Sequence, residues 1–178
     1  MIQLDLYALA SEWTLGKVSA AAGDLDAPTP CEGWDVRTLM NHMLETQQYF
    51  VGAARGLKVS PPGQEPPEII GDDPVSDFLD ARSLMLRTFG NGAAEHSATV
   101  LGIAFADHLL HGWDLARAGN QDATMPDGLA EAAYGTIHAR FSDDQRAGVF
   151  GPELPVPNTA SAQDRLLAFS GRDPTGDF

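Results

Sequence analysis

Apolar residues recur at three- and four-residue steps through most of this 178-residue chain. That spacing lays them on one helical face; a half-buried strand would alternate instead. From Gln3 to Ala22 the stripe is Leu6, Leu9, Ala10, Trp13, Leu15, Val18 and Ala21, and Gly23 stops it. The next segment, Ala27-Pro28-Thr29-Pro30-Cys31-Glu32-Gly33-Trp34, is interrupted by two prolines and a glycine and cannot be regular helix. Asp35 then reads as the N-cap of a second helix over Asp35–Val51, carrying Val36, Leu39, Met40, Met43, Leu44, Tyr49, Phe50 and Val51.

Between Gly56 and Asp73 the prolines Pro61, Pro62, Pro66 and Pro67 predict a long surface loop, a lid or the mouth of a pocket. Asp73 and Pro74 mark the N-cap and first turn of a third helix ending near Gly90. A fourth starts after Thr99 and runs through Phe105, Leu109, Trp113 and Leu115 to Gly119-Asn120. A shorter fifth spans Asp127 to Phe141. Gly148 to Asn158 is rich in glycine and proline and reads as an extended tail, followed by a last short helix at Ala162 to Phe169. No strand alternation stands out. The expectation is an all-α, up-and-down four-helix bundle with an extra short helix and an extended C-terminal tail, built as one domain over 1–178.

Composition narrows the partners. The chain carries 25 acidic and 11 basic side chains, a net charge of −14. Such a surface repels phosphate backbones and anionic bilayers, so neither nucleic acid nor a membrane is expected as a partner. The single cysteine, Cys31, excludes an internal disulfide and suits a reducing cytosol. Met1-Ile2-Gln3-Leu4-Asp5-Leu6 has no basic leader, and no window approaches the length of a membrane span, so the expected location is cytoplasmic.

Candidate chemistry concentrates in the fourth helix. Asp107 and His111 are four apart and rise from one helical face, roughly 5–6 Å apart at Cβ. His42, on the second helix, could supply a third ligand. Two histidines and one carboxylate hold a metal while leaving coordination positions open, the pattern of catalytic rather than structural sites. His108 competes with Asp107, being three residues from His111, but adjacent helical residues point about 100° apart and do not both ligate well. Asp107 is preferred because it brings charge. Without further context, Cys31 reads as packing, Trp34 and Trp113 as core plugs or pocket walls, and Arg37 and Arg117 as partners for acids such as Asp114. Met40 and Met43 are core, while His96 and His138 are surface residues.

Three stretches carry a resemblance. Thr29-Pro30-Cys31-Glu32-Gly33-Trp34-Asp35-Val36-Arg37-Thr38-Leu39 with His42 resembles the signature of DinB-like proteins of the mycothiol-dependent maleylpyruvate isomerase type. His111-Gly112-Trp113-Asp114-Leu115-Ala116-Arg117-Ala118 is similar to its second motif. Phe150 to Pro157, Asp164-Arg165-Leu166-Leu167 and Gly171-Arg172-Asp173-Pro174 resemble the tail of a short actinobacterial branch.

The resemblance implies a four-helix bundle with one divalent metal near one end. The family's histidine and Glu-x3-His ligands map onto His42, Asp107 and His111, with aspartate here in place of the usual glutamate. His108, Trp34, Trp113 and Arg117 would back the ligands or line the pocket. Zinc is the favoured ion, with nickel, manganese or iron as alternatives. The isomerase has a further C-terminal domain that helps build its active site, and this chain shows no counterpart. The expected activity is therefore metal-dependent thiol transfer or isomerisation on a small electrophile, with a low-molecular-weight thiol such as mycothiol as co-substrate. Two rivals stand beside it: a hydrolase using metal-activated water, and a non-catalytic metal-binding or dimerising bundle. A homodimer is a further expectation.

Overall fold

A computed structural model describes residues 2–90, 97–142, 146 and 148–176 of the chain. Among the described residues the helices with defined bounds are α1 (Gln3–Ala21), α2 (Val36–Ala54), α3 (Pro74–Gly90), α4 (Ser97–Ala118), α5 (Leu129–His138) and α6 (Ala162–Phe169). Among the described residues no strand forms; a lone antiparallel bridge joins Pro28 to Asp35. The all-helical expectation holds, and the caps do the local work. Asp35 Oδ1 accepts from the Thr38 amide at 2.8 Å, and Asp73 Oδ1 accepts from the Ser76 amide at 3.1 Å. Helix α5 begins later than expected because Gly128, at φ +77°, turns the chain just before Leu129. His96 lies outside the described residues; His138 is exposed, as anticipated.

Helices α1 and α2 each pack against both α3 and α4, so they face one another across the bundle. Specific contacts give the directions. Thr14 bonds to the His108 carbonyl and Lys17 to the Asp122 carbonyl, so α1 and α4 run together. Arg82 of α3 reaches Ala8 and Glu12, while Leu4 lies near Gly90, so α1 and α3 run opposed. Arg55 reaches Thr88, and Phe78 clusters with Leu39 and Met40, so α2 and α3 run parallel. The four long helices therefore go up, down, down, up.

Parallel neighbours cannot be joined by a tight turn; the connection must travel back along the bundle. Residues 55–73 do this. Val59 lies against Gly52 near the end of α2, the Gln64 carbonyl accepts from Trp34 Nε1 at 3.2 Å, and the Ile69 and Ile70 amides both donate to Asn41 Oδ1 at 2.7 and 2.9 Å near its start. Prolines suit such a strap, because they hold extended backbone and cannot nucleate a competing helix. The segment expected as a long surface loop, a lid or the mouth of a pocket is a loop tethered as a return strap, and Asn41, 1% exposed, is its anchor.

The core divides into two apolar clusters. One holds Tyr7, Phe50, Met85, Phe89, Phe105, Leu109 and Trp113; the other holds Val18, Val36, Leu39, Met40, Met43, Phe78 and Leu115. On α1 the buried polar residues Ser11 and Thr14 fall between them, and on α2 Thr46 and Gln47 do. Leu9, counted in the apolar stripe, is instead 49% exposed.

Helix α1 approaches α4 closely at Gly112. A Cβ there would lie 2.6 Å from both Thr14 Oγ1 and the Trp13 ring. Gly112→Ala is therefore expected to lower stability by about 1–3 kcal/mol through overpacking, despite a helix-propensity gain of about 1 kcal/mol. Urea unfolding measures it; an unchanged midpoint would show that the α1–α4 contact is slack.

Candidate metal centre

Because α2 and α4 pack against each other in opposite directions, His42 comes level with His111. Their rings meet edge to face with centroids 5.1 Å apart. Asp107, one turn earlier on α4, places Oδ1 3.5 Å from His111 Nε2. One donor atom each from His42, Asp107 and His111 fall within 4.8 Å of one another. The three candidates of the sequence thus meet in one half-buried place.

His111 is held from behind. Its Nδ1 lies 2.9 Å from Asp114 Oδ2. Asp114 is 0% exposed and is clamped by Arg172, whose Nε donates to Oδ1 at 2.8 Å and whose Nη2 donates to Oδ2 at 2.7 Å. Cys31 Sγ adds a donor to Asp114 Oδ2 at 3.3 Å. A carboxylate on Nδ1 aims Nε2 at the site, the usual way a ligating imidazole is oriented. The ring planes and partners thus point Nε2 toward Asp107.

Electrostatics separates the two histidines. Burial, helped by the neighbouring His111, lowers His42 to about 4, so it is neutral with a free lone pair at pH 7. Burial alone would also lower His111, but Asp107, Asp114 and Cys31 outweigh it and raise the imidazole to about 10. Burial would push Asp114 up, yet Arg172 and His111 hold it well below the usual carboxylate range. In this network His111 carries a proton that a metal cation would replace.

His42 Nδ1 is buried with no hydrogen-bond partner. Such an orphan costs about 1–3 kcal/mol, and a neutral imidazole beside a carboxylate and a second imidazole suits a transition-metal cation. The donor set therefore fits a divalent ion. Cys31, His111 and Asp114 form a second group of the same compactness. It fits less well, because both Asp114 oxygens are already engaged by the Arg172 guanidinium, which would repel a dication there.

Trp34 covers His42 at 4.8 Å between ring centroids and is tied by its indole to the return strap. Trp113 is core at 3% exposure. Arg117 stacks over Trp113 and donates to the Gly176 carbonyl at 2.7 Å. It does not pair with Asp114 as expected; Arg172 takes that place. His108 is not part of the ligand group, and its Nε2 pairs with Tyr7 instead. Gln47 Nε2 donates to the Met43 carbonyl, so its Oε1 accepts from the Tyr7 hydroxyl at 3.1 Å. Tyr7 must then accept from His108 Nε2 at 3.2 Å, leaving His108 Nδ1 unpartnered. His108, lowered to about 4 mainly by burial, is a neutral residue of the core.

Residues 8–116 match the family described as mycothiol maleylpyruvate isomerase N-terminal domain. Two uncharacterized proteins from two strains of Mycobacterium tuberculosis are each 28% identical over 160 residues, covering 85% of this chain and 86% of the relative. No solved structure matches.

The Tyr7 hydroxyl serves only the buried chain from Gln47 to His108. Tyr7→Phe should strip both partners and cost about 1–3 kcal/mol in chemical denaturation, with the far-ultraviolet spectrum of the fold retained. A neutral substitution would mean that water replaces the hydroxyl.

Proposed function

Because the chain belongs to the mycothiol maleylpyruvate isomerase N-terminal domain family, a DinB-like and metal-associated group, we propose that it holds one divalent ion, zinc by preference, through His42, Asp107 and His111. The observation that supports this is the convergence of one carboxylate and two imidazoles from two helices within 4.8 Å, one imidazole neutral and orphaned at Nδ1. We propose thiol transfer or isomerisation on a small electrophile as the reaction, with a low-molecular-weight thiol of the mycothiol type as co-substrate.

The ion, when bound, would supply Lewis acidity that deprotonates a thiol at neutral pH. The rest falls to the chain's own side chains. Asp107 supplies the negative charge that a dication requires, and His42 and His111 leave room for exogenous ligands because only three protein donors converge. Asp114 and Arg172 keep the His111 ring in one tautomer and orientation. Trp34 walls the His42 side with an apolar ring and limits water there. Its tie to Gln64 gives the return strap a hand in the shape of the opening.

Metal content by elemental analysis, on protein purified without chelator, tests the reading. About one equivalent is expected for a single three-donor site, lost in His42→Ala, Asp107→Ala and His111→Ala but kept in His108→Gln. Loss in His108→Gln with retention in Asp107→Ala would make His108, not Asp107, the third ligand. A wild type that takes up no zinc, nickel or manganese would end the proposal. Thiol-dependent consumption of a model electrophile by the loaded protein then separates catalyst from binder: turnover supports transfer chemistry, and metal without turnover leaves a binding bundle.

A further inference from the structure

The tail after α6 enters the site with its geometry fixed by backbone alone. Ser170 ends the helix, the Gly171 amide donates to the Ala168 carbonyl at 3.0 Å and the Arg172 amide to the Leu167 carbonyl at 2.9 Å. That is a Schellman motif, with its left-handed residue at Gly171, φ +82°. No other residue fits, since a Cβ on Gly171 would sit 2.6 Å from the Gly151 Cα. Arg172 therefore leaves α6 in a set direction. It spans 58 positions of sequence to clamp both oxygens of Asp114, and its Nη2 also comes 3.4 Å from His111 Nδ1. Beyond it, the Gly176 carbonyl accepts from Arg117 of α4. On the other side, Arg146 bonds to the Phe169 and Gly151 carbonyls and stacks on the Phe169 ring.

We infer that Arg172 is a positioning residue for the metal centre, and that docking of the C-terminal tail and occupancy of the centre by a divalent cation are energetically coupled through Arg172, Asp114 and His111. The inference rests on the metal-binding reading above and goes beyond it. Among the described residues, the tail reaches the site at Asp114 and at His111 Nδ1 rather than at the metal-facing atoms of the three candidate ligands. It acts by holding Asp114 so that Oδ2 stays on His111 Nδ1, which leaves Nε2 facing His42 and Asp107. A two-point clamp matters here: with both oxygens held, the Asp114 carboxylate cannot rotate away from the imidazole, whereas a single-point cation would leave it that freedom. Coupling between two sites is reciprocal. Whatever tail docking adds to metal affinity, metal must return as protection of the tail.

The test uses the 178-residue chain and zinc. Zinc affinity is measured by competition with a chromophoric chelator for wild type, Arg172→Met, Arg172→Lys and Arg165→Met. Arg165 bonds to the Ala160 carbonyl in the same tail region, away from the site, and serves as the control. Arg172→Met should weaken zinc about 10- to 100-fold, the usual effect of losing a group that orients a ligating histidine. Arg172→Lys should recover only part, and Arg165→Met should match wild type. Amide exchange by mass spectrometry supplies a readout that needs no variant: zinc should slow exchange over residues 167–176 of the wild-type chain.

Equal affinity in Arg172→Met overturns the inference, as does full recovery by lysine or tail exchange indifferent to zinc. If wild type binds no zinc, the metal reading itself falls and the coupling with it. If wild type binds and only the tail is indifferent, the metal reading survives alone.

Discussion

A carboxylate removed from water must be met by charge and hydrogen bonds, and Asp114 is entirely enclosed. Three separate parts of the chain meet it. Arg172 comes from the tail, His111 from the previous turn of the same helix, and Cys31 from the link between α1 and α2. Removing one partner of a buried ion pair costs about 3–5 kcal/mol, because the remaining charge stays uncompensated. The tail is therefore not an appendage. Its position, the orientation of the His111 ring and the path of the α1–α2 link are all answers to one buried charge.

The up, down, down, up course of the helices has a similar reach. Running α2 parallel to α3 obliges the chain to return the length of the bundle between them, and the return passes beside the site. The strap is pinned at Asn41, the residue next to His42 in sequence, and its Gln64 carbonyl holds the Trp34 indole over the His42 ring. A topological necessity thus furnishes one wall of the candidate centre. Meanwhile α2 and α4, adjacent and opposed, bring His42 and His111 to the same level.

Much of this was legible in the sequence, for identifiable reasons. Helical periodicity, prolines and capping aspartates are local signals, and they located α1 to α6 to within a few residues. The ligand candidates were legible too, because Asp107 and His111 share a face by spacing and His42 lies in a recognisable motif. Long-range pairing left no such mark. Asp114 was matched to Arg117, three residues away, while its partner lies 58 residues on; nothing local distinguishes one arginine from the other. The strap was read as a surface loop, a lid or a pocket mouth with no stated tether, because proline content reports an extended backbone and says nothing of what Asn41 will bind. Tyr7 went unnoticed since a tyrosine on an apolar stripe looks like core, which it is, apart from its hydroxyl.

The charge count at the centre also bears on which small molecule it could receive. Without metal, the negative charges of Asp107 and Asp114 are matched by Arg172 and by the proton on His111, with His42 neutral. Exchange of that proton for a dication would leave one positive charge in excess, in a place where water is scarce and local fields are strong. The surrounding surface is acidic, with a net charge of −14 over the chain. These two facts do not conflict. Fields from exposed carboxylates fade over a Debye length of about 8 Å in physiological salt, whereas a half-buried charge is felt at contact. A polyanion would meet the whole acidic exterior, but a small monoanion, such as a thiolate, would meet chiefly the centre. With the ion bound, the combination would select by size as well as by sign.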